Sequence, residues 1–432
     1  MRIKQILLVF VAAGLAISFL RYTDPRPRPA RDGQIVLRFW NGFTGPDGRQ
    51  IIKLVRQFNE EHEDIKVLLQ RIEWGTYYNK LYVAGLGGRA PDVFVVHAPL
   101  LPRFAAAGLA APLDSWVSGD GGFPVADFDP VVWNAGQVHG TQRAVPLDVH
   151  PFGMYLNRSL FRKAGLVDDA GDIRIPQTRE PLLAAMRAMT RDLDADGAPD
   201  EWGYVLTTMR MIFQSVMTQY GGSLVSPDGK TSLINSPENR AVMQFFVDLI
   251  EKEKVCPQPE GFDSWVGFRQ GKVGIVFEGS WMLSELEKSD LEWCGAPFPQ
   301  IGPQPGVWAS SHMMCISDSA DSLRQRAART FIRYLSDHSL EWAATGQIPV
   351  RRSLRETAAF KALPVQSAFA ELIDSVRFSP AVPYKLELDS ELELAFEKVL
   401  RRTATPEEAL AVAHANIEKI IARMKPSAEE VQ

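Results

Sequence analysis

Residues 35–97 predict an α/β fold built on a parallel sheet, on three observations. Strand-like and helix-like apolar patterns alternate: 35–39 is a strand run, Ile51, Val55 and Phe58 recur at helical spacing, and Ile65, Val67 and Leu69 at every second residue. The run Val93-Phe94-Val95-Val96 is apolar throughout, as expected of a strand covered on both faces. Polar-aromatic residues gather where these strands end. Strand–helix–strand connections of this kind are right-handed and make their strands parallel. Parallel sheets hold ligands beyond the carboxyl ends of their strands. Trp40, Asn41, Trp74 and His97 stand at or just after such ends, so the chain is predicted to hold something in a cleft.

The elements follow in order. The first strand runs into Trp40-Asn41-Gly42-Phe43-Thr44-Gly45, and Asp47 is expected to cap the helix behind it. A second helix, with Leu81 and Ala84 inward, stops at Gly87-Gly88. Residues 108–113 close this first block, and a short helix begins within 127–133. Residues 144–151 carry Pro146 and Pro151, and the residue before a proline avoids the helical region. That stretch is read as extended and as a first crossing between domains, continued by a strand at 154–157. Helices are expected near 181–191, 211–220 and 238–252. Residues 274–281 form a strand turning into a helix, with Gly279 permitting the turn and Ser280 as cap. The Pro/Gly-rich stretch 297–305 is read as a second crossing, followed by a strand at 313–316 and a helix at 323–336. Residues 346–351 are a third crossing, and helices at 391–402 and 406–424 complete the chain.

Length and composition narrow the class. A chain of 432 residues exceeds one ordinary core and implies two domains. A net charge of −5 with no long basic run argues against a nucleic-acid partner. Arg2 and Lys4 precede an apolar run from Ile6 to Leu20, the charge and length of a secretory signal and short for a membrane span. Residues 1–22 are a signal peptide or signal anchor. Small residues are missing where cleavage would occur, so both outcomes stay open. Residues 23–33, rich in Pro and Arg, read as an extended spacer. The globular part is therefore exported, free in the periplasm or held at the outer face of the cytoplasmic membrane. Three cysteines, Cys256, Cys294 and Cys315, leave at least one free thiol; a Cys256–Cys294 bridge is one arrangement, three small buried apolar residues the simpler one. Asp192, Asp194, Asp196 and Asp200 fall at positions 1, 3, 5 and 9 of a calcium-type loop, with Gly197 at position 6. Position 12 is Gly203 rather than a bidentate Glu, so a structural calcium ion and an acidic surface turn are both compatible with it. No other cofactor is expected. No GxSxG, HExxH, phosphate-binding glycine loop or dinucleotide fingerprint occurs.

Several phrases converge in a fixed order: Trp40-Asn41-Gly42-Phe43-Thr44-Gly45-Pro46, Ala90-Pro91-Asp92-Val93, Pro146-Leu147-Asp148-Val149-His150-Pro151, Gly279-Ser280-Trp281 and Gly346-Gln347-Ile348-Pro349-Val350-Arg351. Over residues 35–425 the chain resembles the extracellular solute-binding proteins, family 1, of bacterial sugar ABC importers, the class that includes maltodextrin-binding proteins. The resemblance implies a two-lobed, periplasmic-binding-protein-like fold of type II, closing on a sugar like a hinge. Lobe 1 is expected at 34–147 plus 309–348, and lobe 2 at 148–308 plus 349–425. It also implies a non-enzymatic monomer that hands its ligand to ABC permease subunits.

By the same resemblance Trp40 and Asn41, after the first strand, contribute to the cleft, and Trp74 with Tyr77 does likewise; Tyr78 is assigned to the lobe surface. His97 ends a strand. Asp148 and His150 lie in the first crossing, where both lobes reach. Trp281 follows a strand through Glu278-Gly279-Ser280, and Glu278 can accept bonds from hydroxyls. Trp308, Ser310 and His312 follow the second crossing. Arg351 follows the third and matches the family's position for a cleft residue, a hinge salt bridge being the other reading. Aromatic faces cover the apolar faces of sugars, and Asp, Glu, Asn and Arg bond their hydroxyls. Two alternatives are a glycoside hydrolase with Glu278 and Asp148 as paired carboxylates, and a ligand sensor docked to a membrane receptor.

Overall fold

The structure is a computed structural model in which residues 33–119, 122–259 and 262–424 are described. The expected leader, 1–22, and all but the last residue of the spacer lie outside them. The predicted alternation in 35–97 forms as read. Strand β1 (Ile35–Asn41) pairs in parallel with β2 (Ile65–Arg71) from Ile35 opposite Ile65 to Asn41 opposite Arg71. Its other edge takes β3 (Val93–His97), also in parallel. Helices α1 (Gly45–Glu61) and α2 (Trp74–Leu86) make the crossovers. Asp47 is not the cap of α1: Thr44 holds that place, and Asp47 sits inside the first turn. The helix starts three residues earlier than expected because Pro46, with φ already set for a helix, occupies its first turn.

Later strands complete this sheet and build a second. They are β4 (Val145–Pro146), β5 (Asp148–Asn157), β6 (Trp202–Tyr204), β7 (Val273–Gly279), β8 (Trp293–Pro297), β9 (Val307–Ser310), β10 (His312–Ile316), β11 (Ile348–Pro349) and β12 (Val376–Phe378). The first sheet has the order β2-β1-β3-β10-β4, with β10 antiparallel to β3. The second has the order β12-β9-β5-β7-β6, and β8 and β11 also pair with β5. All ten residues of β5 are buried, which makes it the spine of that half.

The chain passes between sheets at single residues. Leu147 alone separates β4 from β5, and Ser311 alone separates β9 from β10. The expected second crossing at 297–305 is thus displaced. That Pro/Gly-rich stretch stays with the second half because Gln219, at the end of helix α3 (Met209–Gln219), ties it down. Its amide donates to the carbonyls of Pro299 and Gly306, and its Oε1 accepts from the amides of Ile301 and Gly302. Strand β11 pairs with Val149 and Asp148 at the third passage.

Each half has its own aromatic core. In the first, Phe39 and Phe58 meet Phe331 of helix α4 (Ser322–Asp337) edge-on at 5.2 and 5.0 Å. In the second, Phe213 of α3 meets Phe396 of helix α5 (Lys385–Leu400) at 5.1 Å. All three cysteines are free thiols, and Cys256 and Cys315 are buried, so no Cys256–Cys294 bridge forms. Among the described residues no helix is long and apolar enough to cross a membrane.

Candidate functional site

Where the two sheets face each other lies a cavity of about 540 Å³. Each wall is built by the same local device, a strand end, a glycine and a tryptophan. On the first-sheet side Gly42 follows β1, and the Trp74 ring lies flat over it; any Cβ at Gly42 would fall 2.1 Å from the indole. Glu73 fixes the start of α2 by accepting from the amide of Gly75 at 2.8 Å. On the second-sheet side Gly279 ends β7, and the Trp281 ring folds back on it; a Cβ there would fall 2.0 Å from the ring. Gly279 therefore serves close approach and not a tight turn, for its φ is an ordinary −79°. Ser280 does not cap the helix: its Oγ makes no hydrogen bond among the described residues, and the chain enters the helix through a 3₁₀ turn at Ser280–Met282.

Of the residues singled out in the sequence, Trp74, His97, Trp281, Trp308 and Ser310 line this cavity, together with His150 and His312. Trp281 and Trp308 meet edge-on at 6.4 Å, and the Trp308 indole donates to Ser379 Oγ at 2.8 Å. The remaining candidates stand elsewhere. The Tyr77 hydroxyl is buried, donates to the Trp40 carbonyl at 3.0 Å and accepts from the amide of Val95 at 3.2 Å, bracing β1 to β3. Asn41 is buried and accepts from the Phe43 amide at 3.2 Å. Lys80 covers the Trp40 ring, 5.6 Å from its centroid. Arg351 pairs with Asp127 at 2.8 Å and with Asp337. Glu278 is buried behind the wall, accepting from Thr208 Oγ1 at 2.8 Å and from the Gly279 amide at 3.1 Å. Burial pushes its carboxyl up to about 7, against the pull of those two donors.

Asp148 is fully buried behind the cavity, where four groups bond to it. Trp342 Nε1 lies 2.7 Å from Oδ2, His312 Nδ1 lies 2.6 Å from Oδ2, His150 Nδ1 lies 3.2 Å from Oδ1, and the His312 amide donates to Oδ1 at 3.0 Å. Burial opposes its charge, but the His312 charge and the hydrogen bonds of both imidazoles prevail and hold the carboxyl well below its usual range. Burial lowers His150 and holds His97 well below an ordinary histidine.

Sequence reasoning missed several lining residues. Tyr78 is not at the lobe surface: it stacks on Trp74 at 5.5 Å and bonds through its hydroxyl to His97 Nδ1. Its place four residues after Trp74 on one helix was the available signal. Asp47 lines the cavity and accepts from Gln347 Nε2 at 3.3 Å; burial pushes it up to about 6, with the His312 charge opposing. Arg210, Lys385 and Asp389 form a charged corner, Arg210 bonding Asp389 at 2.6 Å and Lys385 pairing with the same carboxylate. Burial draws Lys385 down to about 8, against the Asp389 charge. No local motif marks these three. Ser310 Oγ and Gln347 Oε1 are buried at the cavity wall with no hydrogen-bond partner among the described residues.

The acidic loop lies apart from the cavity. Asp192, Asp194 and Asp200 converge on the surface, while Asp196 is not among them. Asp192 accepts from the amides of Ala195 and Gly197 at 2.7 and 2.9 Å, Asp200 from Leu193 at 2.7 Å, Asp194 from Asp196 at 3.1 Å, and Asp196 from Ala198 at 2.8 Å.

Comparison with known proteins places this architecture. The family described as bacterial extracellular solute-binding protein matches residues 44–339. A maltotriose-binding protein of Pyrococcus abyssi is 19% identical over 396 residues, covering 90% of this chain and 80% of that protein. An sn-glycerol-3-phosphate-binding periplasmic protein of Rhizobium meliloti is 24% identical over 340 residues, 74% of this chain and 76% of that one. An ABC substrate-binding protein of Listeria monocytogenes, solved in complex with cycloalternan, superposes with a TM-score of 0.78 at 23% identity. The match covers 90% of this chain and 99% of that one, and it shows the same fold.

Proposed function

Because this chain belongs to the bacterial extracellular solute-binding proteins, we propose that it captures a carbohydrate, a mono- or oligosaccharide, between its lobes and delivers it to the permease of an ABC importer. One observation carries the reading: a cavity of about 540 Å³ faced on both sides by tryptophan and edged by carboxylates, cations and polar side chains. That volume lies within the range of small-molecule sites, roughly 300–1,000 Å³. Indole faces cover the C–H faces of a pyranose, while Asp47, Arg210, Lys385, Ser310 and Gln347 meet its hydroxyls. The maltotriose- and cycloalternan-binding relatives support this class of ligand. The protein acts as an exported monomer, with lobe boundaries close to 147, 311 and 347, and the site does no chemistry on its ligand. Neither Asp148 nor Glu278 lines the cavity, which removes the support for a hydrolase with that carboxylate pair.

A thermal-shift screen across mono-, di- and oligosaccharides, polyols and glycerol phosphate tests the proposal. A ligand at 100 times its dissociation constant stabilises by about 2.7 kcal/mol. At least one neutral sugar should raise the melting temperature, come back unaltered, and reduce the radius of gyration in X-ray scattering. Stabilisation by glycerol phosphate alone, or cleavage of the sugar, would overturn the assignment.

A further inference from the structure

Three histidines from three strands meet at the base of the cavity, and their arrangement follows from the topology. His312 lies opposite His97 in the first sheet, and His150 lies opposite Ser310 in the second. Ser311 is the single residue joining those two strands, so the two cross-strand pairs are brought side by side. The ring centroids of His150 and His312 are 4.6 Å apart, and those of His97 and His312 are 4.8 Å apart. One nitrogen from each ring falls within 4.8 Å of the other two.

The hydrogen bonds that the three rings make to described residues all go through Nδ1. His150 and His312 bond Asp148 this way, and His97 bonds the Tyr78 hydroxyl. An ionised carboxylate only accepts, so Nδ1 of His150 and of His312 must donate to it. Nε2 of each ring is thereby left to the cavity that all three residues line. A carboxylate behind an imidazole is the arrangement that orients metal-bound histidines and raises their basicity. Asp148 serves two rings at once, is itself fixed by Trp342, and places a negative charge behind the cluster.

We propose that His97, His150 and His312 form a site for a divalent zinc-type cation at the base of the cleft. Three imidazoles with no thiolate suit Zn²⁺ and its borderline neighbours rather than Ca²⁺ or Mg²⁺. Zinc–nitrogen bonds are about 2.0–2.1 Å, and three donor nitrogens that all lie within 4.8 Å of one another can converge on one such ion. His97 belongs to the first sheet and His150 to the second, so one ion held by both would tie the two sheets together. Three protein ligands leave a fourth tetrahedral position for a water or an oxygen of the ligand. This site does not depend on the carbohydrate reading, for the donor set is complete without a sugar.

The test uses the exported chain, stripped with chelator and titrated with Zn²⁺ against a chromogenic competitor, with no sugar present. One equivalent should bind, and Co²⁺ should give the visible absorption of a tetrahedral nitrogen site. His97→Gln and His150→Gln should each weaken Zn²⁺ by more than about 100-fold, the upper end of the loss for an orienting partner. Far-UV circular dichroism establishes that these variants are folded, and His97, at a strand end and half-buried, is the safer of the two. The double variant Asp192→Asn/Asp194→Asn, in the exposed acidic loop, should bind as tightly as the parent. Absence of stoichiometric zinc, full affinity in either histidine variant, or loss in the loop variant would overturn the site. Sugar binding is then measured on the metal-stripped protein. Loss of zinc with sugar retained removes only this site, and zinc retained with no sugar removes only the carbohydrate reading.

Discussion

The two walls of the cleft share a construction and differ in chemistry. Both lay a tryptophan over a glycine at a strand end, Trp74 on Gly42 and Trp281 on Gly279. Trp74 is also wedged among Phe43, Tyr77, Tyr78 and His312, at ring distances of 5.9, 5.2, 5.5 and 5.9 Å. Trp281 has fewer ring neighbours, His150, Phe152 and Trp308. The second wall alone carries cations, Arg210 and Lys385. The difference teaches that one ring is part of its lobe's packing while the other is closer to a free platform, and that charge recognition belongs to one lobe.

Substitution separates the two rings. Trp281→Ala should weaken ligand binding by at least about thirtyfold, the loss of about 2 kcal/mol typical of an aromatic anchor, while the unliganded melting temperature moves little. Calorimetry and thermal melts on one sample read both quantities. Trp74→Ala should lose affinity and also about 1–3 kcal/mol of stability, because its contacts are internal to the lobe. Equal behaviour of the two variants would erase the distinction.

Glu278, behind the second wall, offers a pH test. Its carboxyl stands at about 7 in the folded chain, through burial, against an ordinary 4.5. The folded protein therefore keeps a proton that the unfolded chain has released between those values. Stability from this group is present at low pH and is lost as pH rises through that window. Melting temperature should fall from about pH 5 to about pH 8, and Glu278→Gln should flatten that slope. An unchanged slope in the variant would place the titration elsewhere.

Salt sharpens the contrast in charge. For a neutral sugar, affinity should change by less than about threefold between roughly 0.05 and 0.5 M NaCl, because stacking is insensitive to screening. A steep decline would mean that Arg210 and Lys385 bind an anion. The smallest effect is expected in the acidic loop. Its carboxylates already accept backbone amides, so Asp194→Asn should shift stability by no more than about 0.5 kcal/mol. Millimolar calcium should leave the melting temperature unchanged, and clear heat in a calcium titration would show that the loop is more than a turn.

Local pattern carried much of the fold. Alternation and helical spacing sufficed for β1 to β3 and both crossovers, because each element buries an apolar face defined by its own residues. The lobe boundary was expected at 308/309, close to Ser311, but the crossing itself was read at 297–305, since Pro and Gly mark a loop but say nothing of which half it packs on; Gln219, some eighty residues earlier, decides that. In the site, Trp74, Trp281 and His97 were legible as residues following strand ends. Tyr77 was read into the cleft and Tyr78 onto the lobe surface, and the structure has them the other way round, because adjacent helical residues differ by about 100° in direction and only the packed lobe shows which of the two faces the cleft.

By itself the amino-acid sequence determined the parallel α/β elements, the two-domain scale and the strand ends where a ligand could sit, because each depends on spacing within a short stretch. Tertiary structure alone decided that His97, His150 and His312 meet, that Asp148 stands behind two of them, and that Arg210 and Lys385 reach the same cavity. Those residues lie far apart along the chain. Their meeting depends on two strands changing sheets at Leu147 and Ser311 side by side, a condition set by the pairing of whole strands and written in no single segment.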